Sequence, residues 1–331
     1  GEVGPQGVEH TKWPAVESLM MIFPHLKADP QVQVLTFICD LAATRESRNQ
    51  ILRSKSILRN VTQAAKSKRA TLVTLQHIAR FMSLVVAGDL PPDVNVLKRT
   101  LPTIRTVLYR CGPNGHAETT ESALRALIHL CKDNTVIDNI FLNVRIEAVI
   151  ELLSHTNNAV ASTAGELCKS YTSFSDVRRY QFVSSGGFRA LLGAVTNVAT
   201  ADRTLLATAV DLAVDLMRSM SYKRTNPKRK AVLQLVLEAS EGQFLPTLVQ
   251  HKIVSDADFV NLVGCIVTFN EGAKYVAATR SVFRHLLGLL KNVTPRIVND
   301  SLDCVMNVLS QVDNVQPVIE SIEESGALDT I

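Results

Sequence analysis

The chain has 331 residues, 46% hydrophobic, 20% charged and 5% aromatic, and its 35 Lys and Arg stand against 31 Asp and Glu for a net charge of +4. High apolar content with so little net charge excludes a disordered chain. Fifteen glycines and twelve prolines are too few turn residues for an all-β sandwich or barrel, so long helices rich in Leu, Val and Ala are expected.

In chain order, the opening GEVGPQGVEH is polar, with neither a basic nor an apolar stretch, and reads as a tail (residues 1–11) rather than a signal peptide. Residues 12–331 are expected to form a single array. SLMMIF (Ser18 to Phe23) begins the first unit; at helical spacing it reads as a packed face, an adaptable partner surface being its other use. One kind of segment then recurs, a helix with apolar residues three and four apart: LTFICDL, LQHIARF, LRALIHL, VASTAGEL, AVDLAVDL, LVGCIV and LDCVMNV. Anchored on Leu41, Phe81, Leu130, Leu167, Leu216, Val267 and Val308, the copies lie 40, 49, 37, 49, 51 and 41 residues apart, a mean of 44.5. Residues 88–93, with Pro91 and Pro92, break the second unit. The clearest full unit, 134–173, holds TVIDNIFLN, IEAVIELLSHT, a turn at NNA, and VASTAGELCKSY. The next repeats this order with VRRYQFVSSGG, FRALLGAVTNV and a long helix over about 202–220. The last units are GAKYVAATR, VFRHLLGLLKNV and PRIVNDSLDCVMNVLSQV, where Pro295 falls in a first turn that tolerates proline. No run of 18 apolar residues suggests a transmembrane helix.

A unit of two or three such helices cannot bury its apolar face alone, so neighbouring units must stack into a one-dimensional core. The six cysteines (Cys39, Cys111, Cys131, Cys168, Cys265 and Cys304) are not spaced as CxxC and sit mostly in apolar runs. They read as buried, reduced thiols of an intracellular protein. GxGxxG, the phosphate-loop pattern, HExxH and GxSxG are all missing, and the eight histidines are scattered. No enzyme, metal or cofactor is expected.

The period and the order of helices resemble the armadillo repeat, whose third helix reads A-L-x-x-L-x-N-L-S. VMNVLS around Asn307 fits best, and VSSGGFRALLGAV (Val183 to Val195) is similar to the glycine turn before that family's second helix. The resemblance runs from about Trp13 to Leu328; HEAT repeats share the length range, and only some copies carry the asparagine. It implies an all-α, right-handed α-solenoid of about seven armadillo-like repeats, whose third helices line a concave groove. The residue before each anchor would face that groove: Asp40, Arg80, His129, Glu166, Asp215, Ile266 and Asn307. One turn earlier come Thr36, Gln76, Arg125, Ser162, Asp211, Leu262 and Asp303. The groove would be basic early (Arg80, Arg125, His129), acidic in the middle (Glu166, Asp211, Asp215), apolar at Leu262 and Ile266, and polar again at Asn307. The tryptophan–asparagine array of armadillo proteins that bind nuclear-localisation peptides is missing, since Trp13 is the only tryptophan.

Charge is unevenly spread. Residues 47–110 hold twelve Lys and Arg against Asp89 and Asp93, and residues 296–331 hold seven acids and one arginine. Such a field steers oppositely charged partners. A second basic cluster, Lys223, Arg224, Lys228, Arg229 and Lys230, reads as an inter-helix loop or a nuclear-localisation or nucleic-acid patch. The expected function is a non-enzymatic, cytoplasmic (and also nuclear) adaptor that binds an extended or helical, partly acidic segment of a partner protein. Its candidate contacts are Arg80, Arg125, His129, Gln76, Asp211, Asp215, Leu262, Ile266 and Asn307. The alternatives are a nucleic-acid or anionic-surface binder using the basic N-terminal third, and a module that self-associates end to end.

Overall fold

Several helix starts are set by the residue just before them. Thr44, Ser54, Thr71, Ser175 and Ser255 each offer a hydroxyl oxygen that accepts the backbone N–H three residues on, at 3.2–3.4 Å. Asp133 accepts from Thr135 N at 2.8 Å. Each such cap satisfies an otherwise orphaned donor and contributes about 1 kcal/mol. The computed structural model describes residues 13–87, 94–111, 115–173, 175–197 and 242–326 apart from 252–253, together with 207, 208, 211, 212, 215, 234 and 237. The tail at 1–11, the interruption at 88–93, most of the expected helix at 202–220 and the basic cluster at 223–230 lie outside the described residues. All regular structure among the described residues is helical, and the fold is an all-α solenoid. It divides into two compact units, Gly1–Tyr171 and Thr172–Ile331.

The first unit runs α1 (Trp13–Ile22), a 3-10 turn at Phe23–His25, α2 (Ala28–Leu41), α3 (Arg45–Arg53), α4 (Lys55–Lys66), α5 (Leu72–Val86), α6 (Val94–Cys111), α7 (Ala117–Leu130), α8 (Asn134–Asn143), α9 (Ile146–Leu152) and α10 (Asn158–Thr172). Two layers result. α2, α5 and α7 pack in succession as third helices, while α1, α4 and α6 pack in succession as second helices. The core lies between them: Leu35 and Ile38 from α2, Ile57, Leu58 and Val61 from α4, Phe81 and Met82 from α5, Ile104 and Val107 from α6, and Leu124 and Leu127 from α7 are all buried. Each such side chain contributes about 1.5–3 kcal/mol on burial. SLMMIF divides between the two expected uses, with Met20 and Phe23 in the core and Met21 and Ile22 exposed.

The second unit holds α11 (Asp176–Ser184), α12 (Gly187–Asn197), α13 (Phe244–His251), α14 (Asp256–Val267), α15 (Asn270–Ala278), α16 (Arg280–Gly288), α17 (Pro295–Gln311) and α18 (Gln316–Ser325). α14 and α17 pack as third helices with α15 against both, and α16 packs on α13 and α18. Pro295 occupies the first turn of α17. At the VSSGG turn, Gly186 takes a φ of +81° and ends α11, a conformation that glycine adopts without strain. Gly187 lies against the Phe182 ring, and a Cβ there would come within 2.3 Å of it.

Polar side chains also join successive repeats, at sequence separations close to the repeat length. Asn60 Nδ2 donates to the Met20 carbonyl at 2.8 Å, and Arg99 Nη1 to the Leu52 carbonyl at 2.8 Å. Arg110 donates to the carbonyls of Ala65 and Ser67 at 2.8 Å and Ala70 at 3.2 Å. In the second unit Gln311 Nε2 donates to the Val267 carbonyl at 2.7 Å. Most of these acceptors lie in the last turn of a helix or just beyond it, where carbonyls lack an intrahelical partner.

Candidate functional site

The third helices of the first unit bury one face and leave the other open. On α2 this face is the exposed Gln33, Thr36, Phe37 and Asp40; on α5 it is the exposed Val73 and Arg80 with the half-buried Gln76 and His77; on α7 it is the exposed Glu118 and Arg125 with the half-buried Glu121 and His129. These spacings of three and four follow the helical period. On α10 Glu166 is exposed, whereas Ser162 is buried, with 8% exposure.

The four basic or polar candidates of this wall therefore come together on adjacent helices, but their charges are not equally available. Arg125 is paired with Glu121 at 2.8 Å, one helical turn away. Gln76 Nε2 donates to a Glu118 carboxylate oxygen, bridging α5 to α7. His129 is half-buried, and its Nδ1 is enclosed without a hydrogen-bond partner. Burial, then the charges of Lys132 and Arg125, hold the ring below its usual pKa, which favours the neutral form. Arg80 is exposed and forms no ion pair among the described residues. Its guanidinium partly opposes the effect of burial on Cys39 beneath it, whose pKa is nevertheless pushed up to about 11.

Two exposed apolar side chains of this face are not among the residues expected from the sequence. Phe37 is 46% exposed and Val73 49% exposed. Both sit inside apolar runs where a core role is the ordinary reading, and only the helix phase separates them from Leu35, Ile38 and Leu75.

In the second unit the apolar candidates are corrected. Leu262 and Ile266 are 0% and 1% exposed and belong to the core of α14. The less buried stripe of this helix is the exposed Ala257 with the half-buried Asn261 and Cys265, so the expected phase is one residue late. VNLVGCIV is apolar nearly all round, and a helix of that kind carries little phase information. Asn307 is half-buried on α17, beside the exposed Asp303 and the 57% exposed Met306. Asp211 is exposed and Asp215 half-buried on helical residues whose neighbours are not all described. Five of the six cysteines are buried and Cys265 is intermediate, and none is joined in a disulfide. Among the described residues no group of His, Cys, Asp and Glu is arranged to hold a metal ion. No described helix is long and apolar enough to cross a membrane.

No protein-family model matches the chain, and no curated protein does. Solved structures do. An engineered protein from a structural-genomics programme is similar with a TM-score of 0.66 and 16% identity, over 95% of this chain and 72% of that one. A second engineered protein gives 0.56 and 16%, over 77% of this chain and 97% of its own. A designed armadillo repeat protein gives 0.55 and 9%, over 88% and 99%. At such identities the likeness speaks for the fold alone, and it defines the class: a helical-repeat solenoid.

Proposed function

We propose that this chain is a non-enzymatic, armadillo-type interaction scaffold that binds an extended or helical segment of a partner protein along the open faces of α2, α5 and α7. The observation that carries the reading is the pairing of exposed apolar side chains, Phe37 and Val73, with an exposed cation, Arg80, that has no ion-pair partner among the described residues, on adjacent third helices. Buried anchors next to a steering charge are what concentrate affinity and orient a ligand. The segment that fits carries a large apolar residue flanked by an acidic one. Arg125 contributes less than Arg80, because Glu121 already offsets its charge. The cytoplasm, with the nucleus as a second compartment, is the place this reading assigns to it.

A peptide library displayed on phage and selected on the whole chain tests this. Selected peptides are expected to combine an apolar residue with nearby Asp or Glu, and to bind the Phe37→Ala/Arg80→Glu variant at least about tenfold more weakly. Peptides that bind wild type and variant equally, with the variant's helical signal intact, overturn the assignment.

A further inference from the structure

Most of the positive charge of residues 47–110 sits not on the third helices but on the second-helix layer, where a cleft of about 480 Å³ runs between α4 and α6. Lys55, Arg59 and Lys66 line it from α4, and Lys98 and Arg99 from α6. The three α4 cations are four and seven residues apart, hence on one helix face, and span about 16 Å. None of the five forms an ion pair among the described residues, and residues 47–88 contain no Asp or Glu at all. Arg99 is held against its wall, donating from Nη1 to the carbonyls of Leu52 at 2.8 Å and Arg53 at 3.3 Å.

We propose that the α4–α6 cleft binds a compact, multiply phosphorylated small molecule. Five like charges around one concavity repel each other in the folded chain, and an anion seated between them removes that repulsion while accepting several charge-assisted hydrogen bonds. The volume matches a small-molecule site rather than a long polymer track. The lining holds no aromatic ring on which a base could stack, and no large apolar side chain to enter a bilayer. Further along α6, Arg110 donates to the carbonyls of Ala65, Ser67 and Ala70 and does not line the cleft. The site lies on a different helix layer from the proposed protein-binding wall and does not depend on it.

Isothermal titration of the whole chain with inositol hexakisphosphate, at about 0.15 M salt, tests the proposal. Three proteins are compared: wild type, Arg59→Gln/Lys98→Gln in the cleft, and Arg45→Gln/Arg145→Gln, which removes the same charge from exposed sites outside it. Wild type is expected to bind one equivalent. The cleft pair should weaken binding at least about tenfold and the outside pair less than about threefold. Should the cleft pair melt early, Lys55→Gln/Lys66→Gln gives the same comparison. Absence of saturable binding, or equal losses in the two pairs, overturns the proposal. So does tighter binding of a single-stranded oligonucleotide or of phosphoinositide vesicles than of the free probe.

Discussion

Asn60 offers a direct measure of how firmly one repeat is tied to the next. It is 7% exposed on α4, and its Nδ2 donates to the Met20 carbonyl on α1 at 2.8 Å. In Asn60→Ala that carbonyl keeps its burial and loses its partner. An unsatisfied buried acceptor costs about 1–3 kcal/mol. The loss falls on the docking of α1, because in a repeat array each unit is stabilised chiefly by its neighbours. Trp13, the only tryptophan, lies on α1 and reports that docking by fluorescence. With a denaturant slope of about 1 kcal/mol/M for a small segment, the tryptophan midpoint in urea should fall by about 1 M or more. The midpoint of the far-ultraviolet helical signal, which averages over the whole chain, should move much less. If the tryptophan midpoint does not move, the hydrogen bond contributes nothing to docking. If both midpoints fall together, α1 unfolds with the rest and the nearest-neighbour picture is wrong.

Other outcomes follow from the same geometry. Leu262→Ala or Ile266→Ala should lower global stability by about 2–5 kcal/mol, read by urea unfolding, while selected peptides keep their affinity for the folded variant. Gly186→Ala should cost about 1–2 kcal/mol, because alanine does not tolerate the positive φ that ends α11; an unchanged melting temperature would refute this. His129 is held below its ordinary pKa by burial, Lys132 and Arg125, so the unfolded chain takes up more protons as the solution acidifies. Stability should therefore be unaffected by this group above about pH 7 and should fall as the pH drops through the unfolded-state value of about 6.5. His129→Gln should narrow the difference in urea midpoint between neutral and mildly acidic solution.

The repeat was legible because it is written redundantly. Of the anchors, the last large apolar residue of each copy, Phe81, Leu130, Leu167, Val267 and Val308 are fully buried, Leu41 is half-buried and Leu216 lies outside the described residues. The proline at the start of α17 and the glycine turn before α12 also stand where the pattern puts them. The exposed face of the third helices was less legible, for reasons that lie in particular residues. Anchor phase works only where one face is polar. It places Arg80 and Arg125 outside, but on α14 a one-residue error carries Leu262 and Ile266 from surface to core. Phe37 was hidden in LTFICDL because composition does not distinguish a ring on the core from a ring on the wall. The Arg125–Glu121 pair was visible as an i, i+4 spacing, and weighing it would have reduced the expected basic character of the wall. The largest surprise in charge comes from layer assignment. Counting Lys and Arg along residues 47–110 locates them in sequence, but only the packing of α4 on α6 shows that they converge on a cleft in the other layer.

The side-chain hydrogen bonds to backbone carbonyls that join repeats run mostly one way, whereas side-chain pairs such as Gln76 to Glu118 and Lys274 to Asp313 run the other. In Asn60 to Met20, Arg99 to Leu52, Arg110 to Ala65 and Gln311 to Val267, the later repeat supplies the donor and the earlier one the carbonyl; Lys291 to the Ser325 carbonyl, near the end and exposed, runs the other way. Shortening the chain from its two ends is therefore not equivalent. Cutting from the front releases long, flexible donors that swing out and find water. Cutting from the back strips the cover from carbonyls fixed in the backbone, which cannot turn away. Within each compact unit, growth of the chain at the ribosome leaves the Met20, Leu52, Ala65 and Val267 carbonyls without these donors until the following repeat is made.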